Sequence, residues 1–206
     1  METDKEKFIS VLRSRNRKGI ESVVSNLERI GFFTAPASAM HHLAVAGGLL
    51  KHSLNVYYQA ILIREAQVSL NPALADRLPP ESIAIAGLLH DVCKSDVYKV
   101  VEKFRKDANG RWEKYKAYNA DYSYFPMGHG EKSVIQLTQW GLDMSEDEML
   151  AIRWHMAKWN LPDDRESCGN FNAASEKCPL LAIIIAADEL ATRISEWNFG
   201  KECESK

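Results

Sequence analysis

The sequence predicts an all-α fold, a helical bundle into which one small β-hairpin is inserted. Apolar residues recur at helical spacing along most of the chain, with prolines, glycines or capping residues between the segments. The stretch 83–89 is apolar nearly all round, as expected of a central, buried helix. An Asn109-Gly110 pair between two strand-like runs indicates the hairpin. With 206 residues, 46% of them hydrophobic, the chain is long enough to fold as one domain.

The first half of the chain predicts three helices. Residues 20–30 place their apolar side chains on one face, and Gly31 is positioned to end that helix. A long helix follows from about Leu49 to Ala66, and residues 71–80 form a loop with three prolines. Pro80 then opens the apolar helix, which runs up to a His-Asp pair.

The second half predicts three more helices. One begins at residue 130 or 131 and stops near Gly141. The next starts at Ser145–Glu148, which has the form of a capping box. The last begins after Pro179 and carries a single aspartate inside an apolar face. Residues 160–177 are predicted to be a loop.

The segment Tyr98–Tyr118 departs from the helical pattern. Strand-like runs flank the turn Asp107–Gly110, so the segment predicts a β-hairpin. From Lys94 to Tyr118, eight lysines or arginines stand against four acidic residues, which makes a basic island in a slightly acidic protein. Two interpretations stay open. The hairpin is either a lid that contacts an anionic substrate and stacks on a base through Trp112 or Tyr115, or a solvated ribbon at the edge of the core.

Charge and composition exclude several classes of protein. A net charge of −2 and a pI of about 6.3 argue against a surface that coats nucleic acid broadly. The longest apolar run, 179–187, is far shorter than the roughly 20 residues of a membrane span. The N-terminus shows no stretch typical of a signal peptide. The four cysteines form no CxxC pair and are interpreted as reduced thiols. We therefore expect a cytoplasmic protein without membrane association.

Charged and imidazole side chains occur where the pattern predicts a buried core. His90 and Asp91 follow seven residues that are all apolar or glycine, and Asp188 has apolar neighbours. A lone buried carboxylate is costly unless a cation or a metal compensates its charge. All six histidines lie between residues 41 and 155. Imidazole together with carboxylate predicts a divalent transition metal, namely Mn, Fe, Co, Ni or Zn, rather than calcium.

Three motifs in this order resemble the HD superfamily of metal-dependent phosphohydrolases. The superfamily signature is a histidine, a later His-Asp pair and a final aspartate, each on its own helix. The resemblance covers about residues 32–195, and its first part, 34–48, looks like HD-type 3′–5′ exoribonucleases. The motifs are Gly47–Ser53 around His52, Leu88–Lys94 around His90-Asp91, and Ala187-Asp188.

The resemblance implies a centre with two metal ions. HD members with two further histidines between the pair and the last aspartate typically hold two, and this chain has His129 and His155 there. Asp91 would bridge the ions. From the residues alone, His129 also suits a helix N-terminus and His155 an amphipathic helix. The implied metal ligands are His52, His90, Asp91, His129, His155 and Asp188.

The resemblance further implies catalytic roles for Asp91 and Lys94, with Lys94 in contact with phosphate. Substrate contacts are expected from His41, His42, Lys94 and Lys132. Taken without the resemblance, the two adjacent histidines are equally compatible with ordinary helix residues. Lys94 is also compatible with a lysine at a helix C-terminus, and Lys132 with a solvated charge in a first turn.

The expected function is hydrolysis of a phosphoester, of a nucleotide or a short nucleic acid, by metal-activated water. A mononucleotide or cyclic nucleotide suits the acidic pI, whereas an exonuclease suits residues 34–42. The alternatives are a non-catalytic sensor that binds metal and nucleotide, or a di-iron oxygenase of the HD type. The expected organisation is an N-terminal helical extension, 1–31, and an HD domain, 32–200, with the insertion at 98–118. The oligomeric state is left open.

Overall fold

Helices form the body of the protein, which confirms the predicted all-α bundle with a small β insertion. The computed structural model describes residues 2–197, except the side chains of residues 158 and 160. Each helix begins near a residue that the sequence marks, such as Pro80, Ser145 and Pro179. The helices of the described part are α1 (Asp4–Arg13), α2 (Ile20–Arg29), α3 (Gly48–Leu70), α4 (Pro80–Leu89), α5 (His129–Gln139), α6 (Glu146–Trp154), α7 (Arg165–Lys177) and α8 (Pro179–Leu190).

Helices α3, α4, α6 and α8 pack around one core. The 23-residue α3 contacts both α4 and α8, and α8 also lies along α6. Every residue of α4 from Ser82 to Leu89 is buried, in agreement with its apolar sequence. The helices α4 and α6 are also in contact with each other. The His-Asp pair directly follows the C-terminal end of α4.

Helices α1 and α2 add their apolar faces to the same core. Phe8, Leu12, Val23 and Leu27 are fully buried in the cluster that also holds the side chains of α3 and α4. Between these helices and α6, the two guanidinium Nη atoms of Arg17 each donate to a carboxylate oxygen of a glutamate at 3.0 Å. The N-terminal segment is thus tied to the bundle by apolar packing and by an ion pair.

The glutamate in this pair, Glu148, is fully buried, and we predict a large loss of stability when its cation is removed. Arg17→Ala leaves the carboxylate with only Ser82 and a backbone amide as partners. The free energy of unfolding should fall by about 3 kcal/mol, as expected for a buried pair that loses one member. Urea unfolding followed by circular dichroism measures it.

The matched control is Arg13→Ala. Arg13 makes a slightly shorter two-point contact with Glu21, at 2.8 and 2.7 Å, but both side chains are exposed. Its loss should cost less than about 1 kcal/mol. Equal losses for the two variants would show that the Arg17 pair adds no more stability than a surface contact.

The predicted hairpin is present and slightly longer than expected. Strands β1 (Tyr98–Lys106) and β2 (Trp112–Ala120) pair antiparallel, with Tyr98 opposite Ala120 and Lys106 opposite Trp112. The side chain of Asp107 accepts hydrogen bonds from the backbone amides of residues 109 and 111, which closes the turn. At the base, the amide of Asp121 donates to the carbonyl of Val97 at 2.8 Å.

The predicted loop at 160–177 is wrong over most of its length. Residues 165–177 form α7, which is capped by the Asp164 side chain accepting from the amide of Ser167. Only Ala174 of this helix is buried, so the apolar periodicity that marks the other helices is missing. The predicted reduced cysteines hold for Cys93, Cys168 and Cys178, which are free, while Cys203 lies outside the described residues.

Candidate metal centre

Two histidines are positioned by the same local device. His90 directly follows α4 and His155 directly follows α6. The Nδ1 atom of each lies at hydrogen-bond distance from the carbonyl three residues earlier, at 3.0 Å from Gly87 and 2.7 Å from Ile152. Since a carbonyl only accepts, Nδ1 carries the proton in both rings. In each ring, Nε2 is therefore the nitrogen that remains available for a ligand.

Asp91 lies at the centre of these rings. Its Oδ1 atom is 2.6 Å from Nε2 of His129 and 3.4 Å from Nε2 of His155. Its Oδ2 atom is 3.3 Å from Nε2 of His90 and 3.6 Å from Nε2 of His52. The carboxylate is almost completely buried. Each of its oxygens thus faces two imidazole nitrogens.

Asp188, on α8, contributes the second carboxylate of the cluster. The apolar face of α8 packs against α3 and α6 and directs the half-buried carboxylate toward the cluster, where Oδ1 lies 3.2 Å from Nε2 of His52. His52 is in the second turn of α3 and is buried. The six residues expected to bind metal therefore meet in one place, although they come from five parts of the chain.

The glycine in α5 brings His129 into the cluster. A side-chain carbon on Gly130 would overlap the backbone carbonyl of Arg153, so α5 and α6 approach each other closely at this point. The rings of His129 and His155 are consequently 5.5 Å apart between centroids. The other ring nitrogen, Nδ1, of His129 lies 3.4 Å from Sγ of Cys93. Burial raises the pKa of this thiol to about 12, so it stays protonated.

The loop before α3 places His42 beside His52. The hydroxyl of Ser38 donates to the carbonyl of His42 at 2.8 Å, and the loop passes so close to Gly48 that a side-chain carbon there would overlap the carbonyl of Leu43. The rings of His42 and His52 are 4.9 Å apart. Burial, together with the charges of His52 and Lys94, lowers the pKa of His42 to about 4.

The other residues expected to contact substrate lie in different surroundings. The ammonium of Lys94 is 2.5 Å from Oδ2 of Asp91 and is buried. The ammonium of Lys132 is also buried, but it pairs with Asp96 at 2.5 Å. His41 has an exposed side chain and is not brought into the cluster. Thus Lys94 and His42 border the centre directly, while Lys132 reaches it only through the segment that follows Asp91.

The protonation of the cluster follows from burial and from neighbouring charges. Burial opposes ionisation of Asp91, but Lys94 and the surrounding imidazoles hold its pKa well below the usual range. Burial lowers the pKa of His90 and of His129, so both rings are neutral near pH 7. Burial also disfavours charge on His52, but its hydrogen bonds to two carboxylates raise its pKa to about 9. A metal ion at Nε2 would therefore displace a proton from His52.

The chemistry of the donor set fits a divalent metal. Four imidazoles and two carboxylates offer nitrogen and oxygen ligands, and overlapping sets of them lie within 4.8 Å of one another. The Nε2 atom of His155 is buried without a hydrogen-bond partner among the described residues, which is costly unless it has a ligand. These residues are suited to hold a transition-metal ion.

Sequence reasoning missed one buried group at this centre, Glu196. Its Oε1 atom lies 2.9 Å from Nδ1 of His52 and accepts from the side-chain amide of Asn55 at 3.0 Å. The residue follows Asp188 by eight positions and lies outside the motifs around His52, His90-Asp91 and Asp188. A buried glutamate six residues beyond an apolar helix could have been found only from its position opposite His52.

Together, the bundle and this cluster define a helical protein with a buried histidine and aspartate centre that fits a divalent metal. A comparison with family models matches residues 49–193 to the HD domain. Since the match spans well over half of the chain, the protein belongs to the HD-domain family, within the superfamily of metal-dependent phosphohydrolases. No curated protein and no solved structure compared with the chain gives a match. Within residues 2–197, no helix has both the length and the apolar character needed to cross a bilayer.

Proposed function

We propose that the protein is a phosphohydrolase with two divalent ions, held on either side of Asp91. The observation that carries this proposal is the position of its two oxygens, each of which faces a different pair of histidines. One ion would take His52, His90 and Asp188, and the other would take His129 and His155. Such ions, when bound, supply positive charge that stabilises a phosphoryl transition state and acidify a water molecule.

Lys94 is proposed to bind the phosphoryl group. Although burial opposes it, the charges of Asp91 and Asp188 raise the pKa of this ammonium, so it stays charged at any working pH. Once ions neutralise Asp91, the ammonium is free to bind a phosphoryl oxygen instead. His42, which is neutral, is proposed to donate or accept a hydrogen bond at the same edge of the centre. Lys132 is proposed to act at longer range, because Asp96 holds its ammonium.

The substrate is proposed to be a phosphoester of a nucleotide or of a short nucleic acid. The support is the basic, aromatic hairpin, whose first strand begins at Tyr98, seven residues after Asp91, and contacts the segment Val92–Asp96. The hairpin is long, however. Trp112 pairs with Lys106, eight residues beyond Tyr98, and at about 3.4 Å per residue it lies roughly 27 Å from the base. Stacking on Trp112 would require an extended substrate.

Product analysis tests the proposed reaction. The protein, supplied with Mn²⁺, would be incubated with mononucleotides, cyclic nucleotides and short oligonucleotides. Inorganic phosphate from nucleotides would indicate a phosphomonoesterase, whereas mononucleotides released from oligomers would indicate an exonuclease. Metal-dependent oxygen uptake without phosphoester cleavage would support the oxygenase alternative, and binding without any turnover would support a sensor.

A change of hairpin charge tests whether this ribbon contacts the substrate. Lys103→Gln combined with Lys106→Gln should raise KM about threefold to tenfold at low salt, because charges at the surface contribute up to about 1 kcal/mol each. The turnover number should stay nearly constant, since such charges bind ground state and transition state alike. Arg105 is left unchanged because its guanidinium already pairs with Glu113 at 2.5 Å.

The control carries Lys7→Gln and Lys18→Gln, two exposed lysines outside the hairpin. Steady-state kinetics at low and high salt are compared, and the effect should shrink at high salt, where exposed charges are screened. If the hairpin variant keeps the wild-type KM at low salt, the lid interpretation fails and the ribbon is structural.

A further inference from the structure

His52 is held at both of its ring nitrogens. Its Nε2 atom faces Asp188 and Asp91, whereas its Nδ1 atom lies 2.9 Å from Oε1 of Glu196. Glu196 is 4% exposed, so its carboxylate makes these contacts almost without water. A carboxylate only accepts, and Nδ1 must therefore carry the proton in this contact. The arrangement leaves Nε2 as the nitrogen that can bind a metal.

A second side chain on α3 fixes the position of this carboxylate. Asn55 lies three residues after His52 and therefore on the same side of the helix. Its amide donates to the same Oε1 atom at 3.0 Å. The oxygen that accepts from His52 is thus also held by a neighbour of His52.

The backbone after α8 directs Glu196 to this point. Residues Ala191–Ser195 form a π-helical turn, and the amide of Glu196 donates to the carbonyl of Ala191 at 2.9 Å. On a regular α-helix, eight residues leave an offset of about 80° between Asp188 and Glu196. The wider π turn reduces the angle per residue and brings both carboxylates toward the same face. One helical segment therefore supplies a partner for each nitrogen of His52.

We infer that Glu196 is a positioning residue, which holds the Nδ1 proton of His52 and keeps Nε2 directed at the metal. The inference rests on the metal-binding part of the proposed function, but not on the reaction catalysed. Outer carboxylates of this kind fix the tautomer of a ligating histidine and increase its basicity. Glu196 lies three residues beyond the stretch matched to the HD domain, which ends at residue 193.

The alternative role for Glu196 is direct ligation of an ion, and it predicts a different effect of mutation. His42, His52 and Glu196 lie close enough together to ligate an ion themselves, and Nε2 of His42 and Oε2 of Glu196 are both buried without hydrogen-bond partners among the described residues. In that case, loss of either His42 or Glu196 would remove one whole ion. A positioning residue instead changes the affinity and leaves the number of ions unchanged.

The test measures Zn²⁺ binding to chelator-stripped protein by isothermal titration calorimetry. Glu196→Ala should weaken the binding at the His52 ion by about 10-fold to 100-fold, with the saturating number of ions unchanged. Glu196→Gln should lie much closer to wild type, because its amide oxygen still accepts from Nδ1. Glu189→Gln is the matched control, since this glutamate of α8 is exposed and pairs with Arg193 at 3.3 Å. It should bind Zn²⁺ like wild type.

Nitrogen NMR of the histidine rings supplies a readout independent of affinity. In zinc-loaded wild type, Nδ1 of His52 should carry the proton, and its resonance should shift in Glu196→Ala and recover in Glu196→Gln. The inference would be overturned if Glu196→Ala bound Zn²⁺ with wild-type affinity. It would also be overturned if Glu196→Ala and His42→Ala each bound one Zn²⁺ ion fewer than wild type. If Glu196→Ala does not fold, Asn55→Ala takes its place: it removes the donor that holds Oε1 and should weaken Zn²⁺ binding, with Glu196→Gln again close to wild type. Zinc binding without phosphoester cleavage would overturn the proposed function and leave this inference intact.

Discussion

Asp91→Asn should abolish phosphoester hydrolysis and remove most of the bound metal while the helical fold is retained. The substitution keeps the shape of the side chain but removes its negative charge and replaces one oxygen with an amide nitrogen. Both oxygens face histidines, so either orientation of the amide deprives one ion of a ligand. The loss of activity should exceed the roughly 100-fold effect of removing an outer hydrogen-bond partner.

Circular dichroism, metal content and turnover are measured on the same preparation of this variant. The control is Asp147→Asn, which alters a carboxylate in the first turn of α6 that lies 3.6 Å from Arg77. That variant should keep both its metal and its activity. Wild-type turnover by Asp91→Asn would contradict the assignment of Asp91 to the centre.

Removal of either histidine on the Oδ1 side should lower the metal content from about two ions per chain to about one. His129 and His155 lie at 2.6 and 3.4 Å from that oxygen, and they are the two imidazoles assigned to the second ion. In His129→Ala or His155→Ala, the second ion would keep one imidazole and Asp91 as ligands, too few for tight binding. The first ion would keep its three ligands besides Asp91.

Elemental analysis by mass spectrometry, normalised to protein concentration, measures this ratio. His41→Ala is the control because its side chain is exposed and outside the cluster. If both His129→Ala and His155→Ala keep the wild-type ratio, these histidines are not ligands. A one-metal centre would then replace the two-metal proposal.

Much of the centre could be predicted from the sequence because its residues stand out against apolar surroundings. His90-Asp91 and Asp188 follow or interrupt apolar helices, and charge in such positions needs a partner. The structure brings these residues together with His52, His129 and His155. Their roles as ligands remain predictions.

The contacts that depend on loop and turn geometry could not be predicted. His41 and His42 are equivalent in sequence, but the contacts of Ser38 turn one outward and place the other against His52. The ammonium of Lys132 is held by Asp96, a pairing between α5 and the segment after Asp91. Glu196 reaches the centre through a π turn, for which no sequence pattern was available.

Sequence patterns missed α7 and predicted α1 only as part of a helical extension over residues 1–31, for a related reason. The capping box at Thr3 and Glu6 marks the start of α1, and Asp164 marks the start of α7. Both helices have few buried side chains, two in α1 and one in α7. Capping residues mark the starts of both helices, whereas the apolar periodicity does not reveal them.

If the metal centre carries out phosphoester hydrolysis, metal content and activity must rise and fall together, and both can be measured on one preparation. Protein purified without added metal would be analysed by mass spectrometry and assayed before and after treatment with a chelator. We expect up to about two transition-metal ions per chain, activity that disappears with the metal and activity that returns when Mn²⁺ is restored. Full phosphoester hydrolysis by metal-free protein in the presence of chelator would contradict it.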